Sequence, residues 1–284
     1  MAKECEINKK LEALYDSKKW GFLEILEQAK ELGLSDKLVL HLPYVTQPFL
    51  DSKVKIMLVG QESNGWGFRL SKQSEHGGLF YIYSAMELTK RFQAKTTQTK
   101  NVFWKFAEGV YEHCNGHGSM NYYINPKAYF FWSGVRRISY HTTRATLMRE
   151  LQSPTPMPES LQELIDKHLD SLLLSEIQIA QPDIVLFLST PSYDSYIKQQ
   201  LEGVTFQAHI DALPIRAAAR LECPSITHTA MLRLYHPNAL RYRYGKDTVM
   251  AYNVPIMLPI LEILSKDKAA LLEGFVRELC EKLS

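Results

Sequence analysis

Two short loops in this chain hold residue types that can do chemistry. Gly60-Gln61-Glu62-Ser63-Asn64 follows the apolar run 54–59, and Tyr235-His236-Pro237-Asn238 follows the apolar run 230–234. The first offers a carboxylate and amides, the second an imidazole. Such a set can move a proton or polarise a carbonyl. Each loop closes a strand-like run, and an open α/β sheet carries its active-site loops at the carboxyl ends of its strands. The two loops are therefore candidate walls of a single pocket, although they lie far apart along the chain.

Other residue groupings point less sharply to a site. His113-Cys114-Asn115-Gly116-His117 has the look of a metal-ligand cluster but lacks a fourth ligand, and it reads as a polar loop. Cys5, Cys114, Cys223 and Cys280 are scattered without C-x-x-C spacing, so neither a zinc ribbon nor an iron–sulfur cluster is expected. A formal charge of +2 does not by itself announce a nucleic-acid partner. Basic residues do gather locally: Arg241 and Arg243 follow the second loop, Arg136 and Arg137 lie between the two loops, and Lys90, Arg91, Lys95, Lys100 and Lys105 form a further stretch.

The loops resemble those of the uracil-DNA glycosylase superfamily. Its members carry a first loop close to Gly-Gln-Asp-Pro-Tyr or Gly-Glu-x-Pro-Gly after the first core strand, and a second loop, usually His-Pro-Ser, after the last. Gly60-Gln61-Glu62 and His236-Pro237-Asn238 match these with one acidic and one small polar replacement. The run 181–189, with its Pro182-Asp183 step after a long helix, is similar to the family's penultimate strand. The resemblance spans residues 53 to 244.

It implies hydrolysis of an N-glycosidic bond in DNA, on a damaged or deaminated base flipped out of the helix, without a cofactor. Breaking that bond builds positive charge on the sugar and negative charge on the departing base. By the resemblance, Glu62 holds water or steadies the sugar cation, and His236 donates to a base carbonyl. Asn64 is a second candidate for holding water. Gly60, Gln61 and Ser63 shape the first loop, while Asn238 stands where the family's serine touches a backbone phosphate.

Trp66 and Phe68, with Phe80, are candidates for the aromatic floor under the base. Arg136, Arg137, Arg241 and Arg243 are candidate phosphate clamps. The largest departure is at the second core strand, which in the family commonly ends in a base-reading asparagine and here ends Trp132-Ser133-Gly134. Ser133 can supply only part of that pattern, so the base need not be uracil. The proline and tyrosine of the first loop are replaced by Ser63 and Asn64, which leaves room for a larger base. Two other readings stay open: a non-catalytic nucleic-acid-binding relative, and a hydrolase of free nucleosides or nucleotides.

The elements that must position these residues follow from periodicity. The chain has 284 residues, 45% apolar and 23% charged, enough to bury a sizeable core. Strand-like runs alternate with helical stretches, which predicts an α/β fold: a three-layer sandwich with a central, mainly parallel sheet. A single domain is expected, with a helical amino-terminal extension over 1–52, a core over 53–244 and carboxyl-terminal helices over 245–284. Within it, the pattern predicts two helices over 8–34 broken near Trp20-Gly21, a connection over 38–50, and a helix over 101–113. It also predicts one long helix over 159–180, a helix over 191–201 and an edge hairpin over 204–221. No apolar signal region or membrane-length apolar run is present, so a cytoplasmic or nucleoid setting with free thiols is expected. Oligomeric state is not legible.

Overall fold

The structure is a computed structural model that describes residues 2–61, 67–70, 80–95, 102–121, 123–140, 157–169, 171–208, 215–216, 218–234 and 236–237. Its centre is a six-stranded sheet. Strands β2 (Ile56–Gly60), β4 (Phe130–Gly134), β6 (Ile184–Leu188) and β9 (Ile226–Leu234) run parallel, and β7 (Thr205–Ala208) and β8 (Ala218–Cys223) add an antiparallel edge, in the order β4-β2-β6-β9-β8-β7. Every residue of β2, β4 and β6 is buried. Strands covered on both faces must be apolar on both, which is why these three read as continuous runs without alternation. Strand β9 shows both regimes. Its first half is partly exposed where it pairs only with β8, and its last five residues, which pair with β6, are all buried.

Alternate residues of each strand enter two separate apolar clusters. Met57, Val59, Phe131, Val185, Phe187 and Met231 join the larger one, which also takes in α1 (Ala2–Ser17), α2 (Lys19–Glu31) and α4 (Phe80–Ala94). The same cluster takes in α6 (Glu159–Leu169), α7 (Leu172–Ala180) and α8 (Asp194–Gln200). Ile56, Leu58, Trp132, Leu186, Leu188, Leu232 and Leu234 join the other cluster, packed under α5 (Val102–Asn115). The molecule is thus a mixed α/β sandwich with helices against both faces of a mostly parallel sheet. Among the described residues, no helix is long and apolar enough to cross a membrane.

The edge hairpin forms as expected, with Thr205 opposite Glu222 and Ala208 opposite Ala219. Three expectations need correction. Helix α2 runs through Trp20-Gly21, and the break falls earlier, between Ser17 and Lys19. Gly21 is there for contact: a Cβ on it would lie 2.5 Å from the Cβ of His168 on α6, so only glycine lets the two helices approach this closely.

The single helix predicted over 159–180 is two, because Ser171 takes a left-handed conformation at φ 59°. The buried positions on both sides continue one helical spacing, so periodicity gave no warning. The Gln200 amide spans the break, donating to Leu169 O at 3.0 Å and accepting from Leu173 N at 3.1 Å. Finally, the connection over 38–50 contains β1 (Leu38–Leu40) and α3 (Gln47–Asp51). Strand β1 is the middle of a second, antiparallel sheet with β3 (Phe68–Arg69) and β5 (Ile138–Tyr140). Gly67 enters β3 at φ +153°, where a Cβ would meet Leu40 O at 2.6 Å.

Candidate functional site

The register of the parallel strands builds one edge of the sheet. Gly60 lies beside Gly134 on one side and Leu188 on the other, and Leu188 lies beside Leu234. The loops after β2 and β9 therefore leave the same edge with β6 between them, and neighbouring strands stand about 4.8 Å apart. The order of the parallel strands reverses between β2 and β6. At such a switch point the connections diverge to opposite sides and leave a crevice outside the carboxyl ends. Gly60 and Gly134, side by side without side chains, leave bare backbone on its β2–β4 flank.

Polar groups cluster at the switch point. Pairing continues past the strands, with Val135 N donating to Gly60 O at 2.9 Å and Arg136 N to Gln61 O at 3.2 Å. The half-exposed Gln61 side chain links the end of β2 to the segment after β6, its Nε2 donating to Thr190 Oγ1 at 3.4 Å, and Thr190 in turn shares a hydrogen bond with Ser192. Ser189, next to Thr190, is fully buried, and its hydroxyl has no hydrogen-bond partner among the described residues. The Arg136 guanidinium lies over the Tyr196 ring, 4.0 Å from its centroid, and so is held beside the crevice by α8.

His236 stands on the other side of the sheet edge. Its imidazole stacks on Phe103 from the first turn of α5, with ring centroids 5.4 Å apart and planes inclined by 27°. Burial pushes its pKa down from 6.5 to about 4, because a charged ring would lose its hydration. The ring is therefore neutral at pH 7, the form that carries one N–H and one acceptor nitrogen. Phe103 extends inward through Trp104, Trp132 and His41, whose successive rings lie 5.1, 5.6 and 4.3 Å apart. Lys127 sits among them with its ammonium 4.0 Å from the Phe92 centroid, and burial lowers its pKa.

Two expected site residues belong elsewhere. Arg137 is no surface clamp: it is 3% exposed and forms a bidentate ion pair with Glu176 of α7, Nε donating to Oε1 at 3.0 Å and Nη2 to Oε2. Ser133 does not present its hydroxyl to the crevice. It donates to Glu176 Oε2 at 3.1 Å, while Tyr15 donates to Oε1 at the same distance. Burial pushes the Glu176 carboxyl upward, and Arg137, Ser133 and Tyr15 pull it back. Four donors fill the lone-pair sites of its two oxygens, which suits the carboxylate. A charged pair is thus sealed beneath the end of β4, where an exposed readout residue was expected.

Phe68 is half-buried in β3 and packs against the larger core cluster. Glu62, Ser63, Asn64, Trp66, Asn238, Arg241 and Arg243 lie outside the described residues. In the segment 113–117, Asn115 bonds both backbone groups of Val54, and the buried Cys114 thiol is pushed up to about 12. Among the described residues, no group of three His, Cys, Asp or Glu is placed to hold a metal ion.

Sequence reasoning missed Phe103 and Glu176. Phe103 carried no signal, being one of several aromatics on the buried face of α5. Glu176 did carry one, as the only acidic residue on the core face of Leu172, Leu173, Ile177 and Ala180. The described grooves lie elsewhere. One of about 720 Å3 runs between α1 and α4, past Glu4, Tyr44, Tyr83 and Lys90, and one of about 500 Å3 sits at the amino-terminal edge of the sheet near Lys55 and Asp183. Comparison of the chain with protein-family models, with curated proteins and with solved structures returned no match.

Proposed function

We propose that this chain is an N-glycosidic hydrolase with a uracil-DNA glycosylase-like fold, acting on a modified base in DNA. The observation that carries the reading is the shared sheet edge: Gly60-Gln61 and His236 leave strand ends separated by β6 alone. In the reaction the bond between sugar C1′ and the base nitrogen breaks, the electron pair leaves with the base, and water adds to C1′ and gives up a proton that ends on the departed base. A neutral imidazole suits the leaving side, since it donates an N–H to a base carbonyl as negative charge grows there. Glu62, two residues past the end of β2, serves the sugar side, with Asn64 as the alternative holder of water. Arg136, Arg241, Arg243 and Asn238 are assigned to the DNA backbone, and Trp66 to the base.

Commitment of Ser133 to Glu176 favours a base other than uracil, and it equally favours a relative that binds nucleic acid without cleaving it. One assay separates these. Oligonucleotides carrying uracil, hypoxanthine, xanthine or an alkylated base are scored for abasic sites in single turnover. Cleavage of one lesion is expected, with Glu62→Gln slowing it about a hundredfold or more at unchanged binding, because charge stabilisation acts on the transition state. Binding without base release across the panel identifies the non-catalytic relative. Robust cleavage indifferent to Glu62→Gln passes the role to Asn64.

A further inference from the structure

We propose that Phe103 is a positioning residue of the site, its ring serving as the platform that fixes the plane of the His236 imidazole and keeps water off one face. The inference rests on the glycosylase reading only for what the imidazole donates to; the platform itself stands on geometry. The two rings form an offset stack, with centroids 5.4 Å apart and 27° between planes, so Phe103 lies against part of one face of the imidazole. Phe103 is itself immobilised. It is 7% exposed, meets Trp104 edge-on at 5.1 Å, and belongs to the cluster that packs α5 under Leu188 and Leu234, the last residues of β6 and β9. The same packing thus fixes the helix carrying the platform and the strand leading to the imidazole. A rigid flat support narrows the orientations of a donor whose hydrogen bond must form as charge develops, and small misplacements of such groups are costly.

The experiment reads His236 by NMR, with its ring signals assigned by their loss in His236→Ala. In the unaltered protein, the His236 ring protons should be shifted upfield by the Phe103 ring current and show cross-peaks to Phe103; absence of both overturns the proposal without any variant at Phe103. In Phe103→Leu, which keeps an apolar side chain but no flat ring, the His236 pKa should rise from about 4 towards 6.5. Phe103→Tyr should restore the lower value. A His236 titration unchanged in a folded Phe103→Leu protein also overturns it. With abasic sites scored at multiple turnover, the leucine variant should lose about tenfold or more in kcat with KM within about twofold. A protein that shows the NMR behaviour but releases no base would sink the glycosylase reading and leave the platform standing.

Discussion

At the scale of single residues, the buried Glu176 is the most exposed to perturbation. Its oxygens take four donors from Arg137, Ser133 and Tyr15, which come from β4, the segment just after it and α1. Glu176→Leu strands a guanidinium in the core and should cost about 3–5 kcal/mol in urea unfolding. The pair itself need not stabilise: the double change Glu176→Leu with Arg137→Met should recover most of that loss. A single change costing under about 1 kcal/mol would mean water reaches the pair. Placement was legible where type and position both spoke. His236, an imidazole just after an apolar run, follows a strand end that shares an edge of the sheet with Gly60-Gln61. Ser133 and Arg137 misled because a sequence does not say which side of a strand end a side chain takes, and both turn inward to the same carboxylate.

At the scale of elements, the sequence disclosed the four parallel strands because strands buried on both faces leave continuous apolar runs. It did not disclose the α6–α7 break. That break depends on Gln200, twenty-seven residues beyond Leu173, whose amide satisfies a carbonyl and an N–H that the interrupted helix leaves open. Gln200→Leu should cost about 1–3 kcal/mol, since both backbone groups are then unpaired in a partly buried place. Gln200→Glu can still accept from Leu173 but no longer donates to Leu169, so it should fall between. Unfolding midpoints decide this, and equal stability of all three proteins would mean the break holds itself. The second sheet was equally hidden, because β1 and β5 have three residues each and β3 two, too short for any periodicity to register.

At the scale of the whole molecule, acid should loosen the fold through two imidazoles, His41 buried and His236 half-buried. His236 has its pKa pushed down by burial to about 4, and His41 has its pKa pushed to about 3 by burial with help from Arg137. Well above pH 6.5 both rings are neutral, folded or unfolded, and contribute no pH dependence. Below it the unfolded chain takes up protons that the folded chain refuses until about pH 4 and about pH 3, so stability falls as pH falls through that window. Each ring contributes a slope of up to about 1.4 kcal/mol per pH unit. His41→Phe, which keeps an aromatic against Trp132, should remove about half of the slope contributed by the two rings between pH 6 and 4; an unchanged slope would refute the assignment. The order β4-β2-β6-β9 has a consequence for how the chain folds. Leu188 of β6 must settle beside Gly60 of β2, and Leu234 of β9 beside Leu188, so neither pairing is local and the crevice has no rim until both are made. Nascent chain that has emerged only as far as Cys223 lacks the partner of one edge of β6, an apolar parallel strand. Such chain has no site and presents a template for self-association, so its safe synthesis depends on β9 arriving before another open edge does.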